Sequence, residues 1–80
     1  MLFRSAFALS PDGRSFAVET STRPQRRVTV YEAVTLSPRL TIPLEFSHAY
    51  GLTYSPDGRF LAARLSDRSV VIWDLRALEL

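Results

Sequence analysis

The residues of this chain whose types could carry chemistry are His48, the serines Ser10 and Ser55, the carboxylates Asp12, Asp57 and Asp67, and the arginines Arg23, Arg26 and Arg27. An imidazole titrates near neutrality and can move a proton or hold a ligand. His48 has no nucleophile beside it in any recognisable arrangement, however, and it reads as a solvated loop residue. Ser10 and Ser55 each precede a proline, and neither stands in a Gly-x-Ser-x-Gly elbow. With no cysteine and a single histidine, the Cys/His ligand sets of structural zinc are excluded. Each of the three aspartates stands alone in its own short segment, whereas a calcium loop draws several oxygen ligands from one. The arginine cluster could meet an acidic partner or a phosphate, and Arg23, Arg26 and Arg27 are the candidate partner-binding residues. It lacks the interleaved aromatics of a nucleic-acid surface. No glycine-rich cradle for phosphate is present. The expectation is a chain that is not an enzyme, with no catalytic residue, no cofactor and no metal.

Length and charge narrow the elements that must position these groups. Eighty residues make one small domain or a piece of a larger one, and a chain of this size buries a modest core unless something else stabilises it. Disulfides are ruled out, which leaves partner subunits or further sequence as the stabiliser. Hydrophobic residues at 46% and charged residues at 22% fit an ordinary globular chain. A net charge of +2 is too mild to argue for nucleic acid. No run approaches the ~18 apolar residues of a membrane span. Ala6-Phe7-Ala8-Leu9 is shorter than the ~7–15-residue apolar region of a signal peptide. A cytoplasmic location, with no membrane and no nucleic-acid partner, is the default expectation.

An internal repeat organises the chain. Ser10-Pro11-Asp12-Gly13-Arg14 recurs as Ser55-Pro56-Asp57-Gly58-Arg59, at an offset of 45 residues. Phe7-Ala8-Leu9 before the first copy matches Leu52-Thr53-Tyr54 before the second, and Phe16-Ala17-Val18 after it matches Leu61-Ala62-Ala63. Val28 to Ala33 aligns with Val70 to Leu75 at an offset of 42, so three extra residues fall within Ser21 to Arg27 of the first unit, where a surface loop would tolerate them. Apolar residues alternate with polar ones over short runs around the turns, the pattern of strands. Proline presets φ, aspartate bonds local backbone and glycine accepts positive φ, so each Ser-Pro-Asp-Gly joins two antiparallel strands tightly. The predicted strands are 5–9, 15–20, 28–33 and 39–46, then 51–55, 59–65 and 70–75, with a loop at 21–27 and little or no helix. The fold class is all-β, built of antiparallel four-stranded meanders repeated every ~40–45 residues, which is the pattern of β-propeller blades.

Leu52 to Ala62, followed by Ser66-Asp67-Arg68-Ser69-Val70-Val71-Ile72-Trp73-Asp74-Leu75, resembles the WD-repeat β-propellers. The resemblance implies that Trp73-Asp74 ends the third strand of a blade and that Asp67 sits in the turn before it. The first unit is a degenerate copy, with Tyr31-Glu32 where the second has Trp73-Asp74. Residues 1–46 are then a first blade and 47–80 a second that lacks its outer strand, and Met1 to Arg4 of a neighbour could supply that strand. The structural residues of the motif are Ser10, Pro11, Asp12, Gly13, Ser55, Pro56, Asp57, Gly58, Asp67, Trp73 and Asp74. Many WD repeats link a Gly-His pair, a Ser or Thr, the turn Asp and the Trp by hydrogen bonds. Here Ala63 stands at the Ser/Thr position and Leu44-Glu45 near the Gly-His position, so that network is not expected, and Asp67 caps its own turn.

The resemblance implies a protein-interaction or scaffold module whose partners are other proteins or further propeller blades. Two blades do not close a ring of about four to eight. The chain is therefore expected to be a fragment of a longer propeller or a homo-oligomer of about two to four copies, with the fragment favoured. Two other readings stand beside it. One is the non-catalytic propeller part of a larger enzyme, such as a kinase or a peptidase. The other is a lectin-like oligomer that binds a ligand near His48, Tyr50 and Tyr54.

Overall fold

The two Ser-Pro-Asp-Gly-Arg strings fold into the same turn in a computed structural model that describes residues 6–22, 25–44 and 48–78. In the first turn the Gly13 N–H donates to the Ser10 carbonyl at 3.0 Å, and the Ser10 N–H donates to the Ser15 carbonyl at 2.9 Å. In the second, Gly58 donates to Ser55 at 2.9 Å and Ser55 to Phe60 at 2.8 Å. Gly13 and Gly58 sit at φ +71° and +75°, the left-handed region that a side chain disfavours.

Each turn reverses the chain between antiparallel strands. Strands β1 (Phe7–Leu9), β2 (Ser15–Thr22), β3 (Gln25–Glu32) and β4 (Pro38–Leu44) form one sheet in sequential order. Strands β5 (Ala49–Tyr54), β6 (Phe60–Leu65) and β7 (Val70–Asp74) form a second sheet, also in sequential order. Equivalent rungs of the repeat pair alike: Phe16↔Tyr31 and Ala17↔Val30 in the first sheet, Leu61↔Trp73 and Ala62↔Ile72 in the second. The described fold is therefore all-β apart from one short helical turn, α1 (Leu75–Leu78). Its first residues are capped by Asp74, whose Oδ1 accepts the Arg76 N–H at 3.1 Å.

The sheets pack face to face along β1 and β5, with β2 also against β5. Because strand residues alternate between faces, register assigns every side chain to an inner or an outer face. The inner face of the first sheet carries Ala6, Ala17, Val28, Val30, Ile42 and Leu44; that of the second carries Ala49, Leu61 and Ala63, with Leu52, Tyr54, Val71 and Trp73 packed against them. Among the described residues, Leu61, Val28 and Val30 are the largest fully buried side chains. Full burial of such a residue contributes about 1.5–3 kcal/mol.

Several strand limits differ by a residue or two from those expected from sequence, and three of the differences matter to the fold. The stretch 21–27 is not all loop: Thr20↔Arg27, Ser21↔Arg26 and Thr22↔Gln25 extend the β2–β3 ladder, so the extra residues lengthen a hairpin. β-branched Thr20 suits the extended backbone there. The last strand ends at Asp74 rather than 75, because the carboxylate of Asp74 starts a helical turn there. The strand expected from 51 begins at Ala49, with a register shift between Ala49 and Gly51. Met1 to Arg4, considered as a donated strand, lie outside the described residues, as do Glu45 and Phe46.

Candidate interaction surface

The repeated chemistry of the two turns is local and the same in both. Ser10 Oγ donates to Asp12 Oδ1 at 2.7 Å while accepting the Ser15 N–H at 3.0 Å, and Asp12 Oδ1 also accepts the Arg14 N–H at 2.9 Å. Ser55 Oγ likewise donates to Asp57 Oδ1 and accepts the Phe60 N–H at 3.0 Å, and Asp57 Oδ1 accepts the Arg59 N–H at 3.0 Å. The serine hydroxyl, then the backbone N–H, holds each aspartate below its usual pKa. Both serines are occupied as turn locks: each hydroxyl gives its proton to a carboxylate and takes a backbone N–H.

The turns face one another across a cleft of about 460 Å³, lined in part by Asp12, Arg39, Tyr54, Asp57, Arg59 and Arg76. Arg59 forks onto Asp74, with Nε to Oδ1 at 3.2 Å and Nη2 to Oδ2 at 2.9 Å. This pairing lowers the pKa of Asp74 and raises that of Arg59. The Leu75 N–H donates to the Arg59 carbonyl at 2.8 Å, as Ala33 does to Arg14 in the first unit. Trp73 and Asp74 therefore point to different places. Trp73 packs against the core between the sheets, and Asp74 ties the turn at 55–59 to the start of α1.

Asp67 serves a third turn. Its Oδ1 accepts both the N–H and the hydroxyl of Ser69, and the hydroxyl is the larger cause of its lowered pKa. Asp12, Asp57 and Asp67 thus belong to three separate turns. Among the described residues no group of three or more His, Cys, Asp or Glu side chains is placed to hold a metal ion.

The arginines grouped in sequence are divided by the strand. Arg26 and Arg27 are consecutive on β3 and point to opposite faces of the sheet; Arg23 lies outside the described residues. Arg26 pairs across the ladder with Leu44, and its buried Nε has no hydrogen-bond partner among the described residues. A single basic patch built from Arg26 and Arg27 side by side is therefore not formed.

One residue that the sequence did not single out joins the two sheets. Glu19 is buried on the inner face of β2, and its Oε2 accepts the buried Ala49 N–H at 2.8 Å. His48 Nδ1 lies 3.8 Å from the same oxygen. The backbone of His48 is held by Ser66: its N–H donates to Ser66 Oγ at 3.0 Å, and its carbonyl accepts the Ser66 N–H at 2.9 Å. His48, centred 6.1 Å from the Tyr50 ring, is thus part of the joint between the sheets. Position 19 falls in phase with Ala17 rather than with Phe16 and Val18, and because both phases are apolar the sequence holds no signal that it turns inward.

The outer faces carry a second kind of surface. On the first sheet Phe7, Phe16 and Tyr31 stack in a row, with centroids 5.7 and 5.3 Å apart, and Phe7 and Leu9 remain exposed. On the second sheet Val70 and Ile72 are exposed beside a groove of about 420 Å³ lined by Thr53, Phe60 and Ala62. Compared with known proteins, the chain matches no protein-family model and no curated protein.

Proposed function

We propose that this chain is a non-enzymatic protein-interaction or scaffold module, built of two blades of a WD-type β-propeller, the second with three described strands. The observation that carries the reading is the repetition of one unit as two successive antiparallel sheets, packed face to face with the same locked turn at the same place in each. Such a stack leaves an apolar sheet face open on either side, which further blades or other proteins would cover. Protein binding follows from those faces rather than from any site of bond-making chemistry, and a fold alone does not assign a partner. The proposal includes a cytoplasmic location; among the described residues no helix is long and apolar enough to cross a membrane.

Thermal melting over a range of protein concentrations tests this. A surface that works by being covered gives a melting temperature that rises with concentration, or a weakly cooperative melt when nothing covers it. A sharp melt of a monomer, independent of concentration, would overturn the reading.

A further inference from the structure

The repeat does something to the faces that neither sheet shows alone. Its offsets carry inner residues of the first sheet onto outer residues of the second: Ala8 onto Thr53, Ala17 onto Ala62, Val28 onto Val70 and Val30 onto Ile72. They carry outer residues of the first sheet onto inner residues of the second: Phe7 onto Leu52, Leu9 onto Tyr54, Phe16 onto Leu61 and Tyr31 onto Trp73. The contact between the sheets is therefore one between two unlike surfaces, a small-residue face with Ala17 and Val30, and a bulky face with Leu61 and Trp73. Each chain presents one further copy of both surfaces, uncovered. The bulky one has Phe7 and Leu9 at 59% and 58% exposure, and the small one has Val70 and Ile72 at 64% each.

We propose that these two outer faces bind each other between copies of this chain, the bulky outer face of the first sheet seating on the grooved outer face of the second sheet of the next copy. The inference rests on the blade reading above and adds the partner, a second copy, and the direction of the contact. A second copy is the partner because the chain already packs this pair of surfaces once, internally, and carries the complementary halves on opposite sides. The fit is in size as well. A row of three aromatic rings faces a groove of about 420 Å³ floored by Ala62 and Thr53. Like-to-like pairing would set rings against rings or groove against groove. A contact of unlike surfaces is heterologous, so copies follow one another in a single sense and close into a ring when the rotation allows.

The outer contact is not an exact copy of the internal one: Phe60, beside the groove, stands at the position equivalent to Ser15. Arg64 stands at the position equivalent to Glu19, so the outer contact lacks the carboxylate that holds Ala49. Apolar burial then holds the outer contact, and added salt leaves the association undiminished.

Because the chain has no cysteine, the contact can be read by disulfide trapping. Leu9 and Thr53 are exposed equivalents of Tyr54 and Ala8, which lie on the strands that meet inside the chain. Leu9→Cys and Thr53→Cys are prepared separately, checked for unchanged β-sheet circular dichroism, mixed in equal amounts and oxidised gently. The mixed 9–53 disulfide should take well over the half share expected of random collision, and so stand far above the twofold excess over either like pair that chance alone gives. A random mixture, or an excess of 9–9 or 53–53 pairs, overturns the proposal. Sedimentation of the unmodified chain separates the two failures. Association with like-pair or random trapping refutes the head-to-tail contact and leaves the blade reading standing, whereas a cooperatively folded monomer removes both. As a second variant, Ile72→Glu should weaken association about tenfold or more with the circular dichroism retained. Equal association in that variant would also overturn the proposal.

Discussion

Removing the carboxylate of Glu19 tests the joint between the sheets. Glu19 Oε2 accepts the Ala49 N–H at 2.8 Å, and Ala49 is 1% exposed, so no water can replace the acceptor without opening the contact. A hydrogen bond to a charged group contributes about 1.5–3 kcal/mol, and an orphaned buried donor costs about 1–3 kcal/mol. These describe the same loss and are not added. Glu19→Ala should therefore destabilise by about 2 kcal/mol, which in a domain of this size lowers Tm by about 8–16 °C. Glu19→Gln keeps an oxygen acceptor but not the charge, and should lose about half as much, since charge-assisted bonds are about twice as strong as neutral ones. Urea melts at one fixed protein concentration give the ordering wild type, Gln, Ala. Hydrogen exchange localises the effect: the Ala49 amide should exchange roughly 30-fold faster in Glu19→Ala, at 1.4 kcal/mol per factor of ten. Equal stability of the Gln and Ala variants, or a change below about 0.5 kcal/mol in both, would refute the assignment of Glu19 as the tie between the sheets.

Three further outcomes follow from the turns. Gly58→Ala meets open space apart from Pro11 Cδ at 3.7 Å, so its cost is that of positive φ, about 1–2 kcal/mol; Gly58→Asn should cost less, and denaturant melts of the pair check the order. Arg59→Ala should cost little, because its pair with Asp74 is partly solvated, whereas Asp74→Ala should cost more by also uncapping α1; a reversed order in the same melts would count against the cap. Asp12, Asp57, Asp67 and Asp74 all have pKa values lowered in the fold. Their stabilisation is therefore complete above the unfolded value near 3.8 and is lost as pH falls through the lowered ones. Tm should accordingly be flat with respect to these groups above about pH 5 and fall below about pH 4, and Asp12→Asn with Asp57→Asn should shrink that fall.

How much of this could be read in the sequence depends on what each residue had to declare. Ser-Pro-Asp-Gly carries its turn in its own chemistry, so both turns and the strands on either side were legible from residues 10–14 and 55–59. The phase of the strands was not. Phe7, Leu9, Phe16 and Val18 alternate as cleanly as Ala8, Ala17, Val28 and Val30, and with both faces apolar the period of two cannot say which one turns inward. The structure places Ala8, Ala17, Val28 and Val30 inside and Phe7, Leu9, Phe16 and Val18 outside, a choice set by the sheet packed against them. For the same reason Glu19 was passed over: a lone glutamate in a strand reads as solvent-facing until its inner-face neighbours are known. Arg26 and Arg27 looked like a cluster because the stretch around them read as loop, and pairing with Ser21 and Thr20 sends them to opposite faces.

The mass of the chain in solution tests the central claim most directly, namely that the two sheets are repeated blades whose outer faces are made to be covered. Light scattering across a concentration series should give a defined assembly of about two to four copies of the 9.0 kDa chain. A monodisperse 9.0 kDa species that unfolds in one sharp transition, unchanged by dilution, would contradict it.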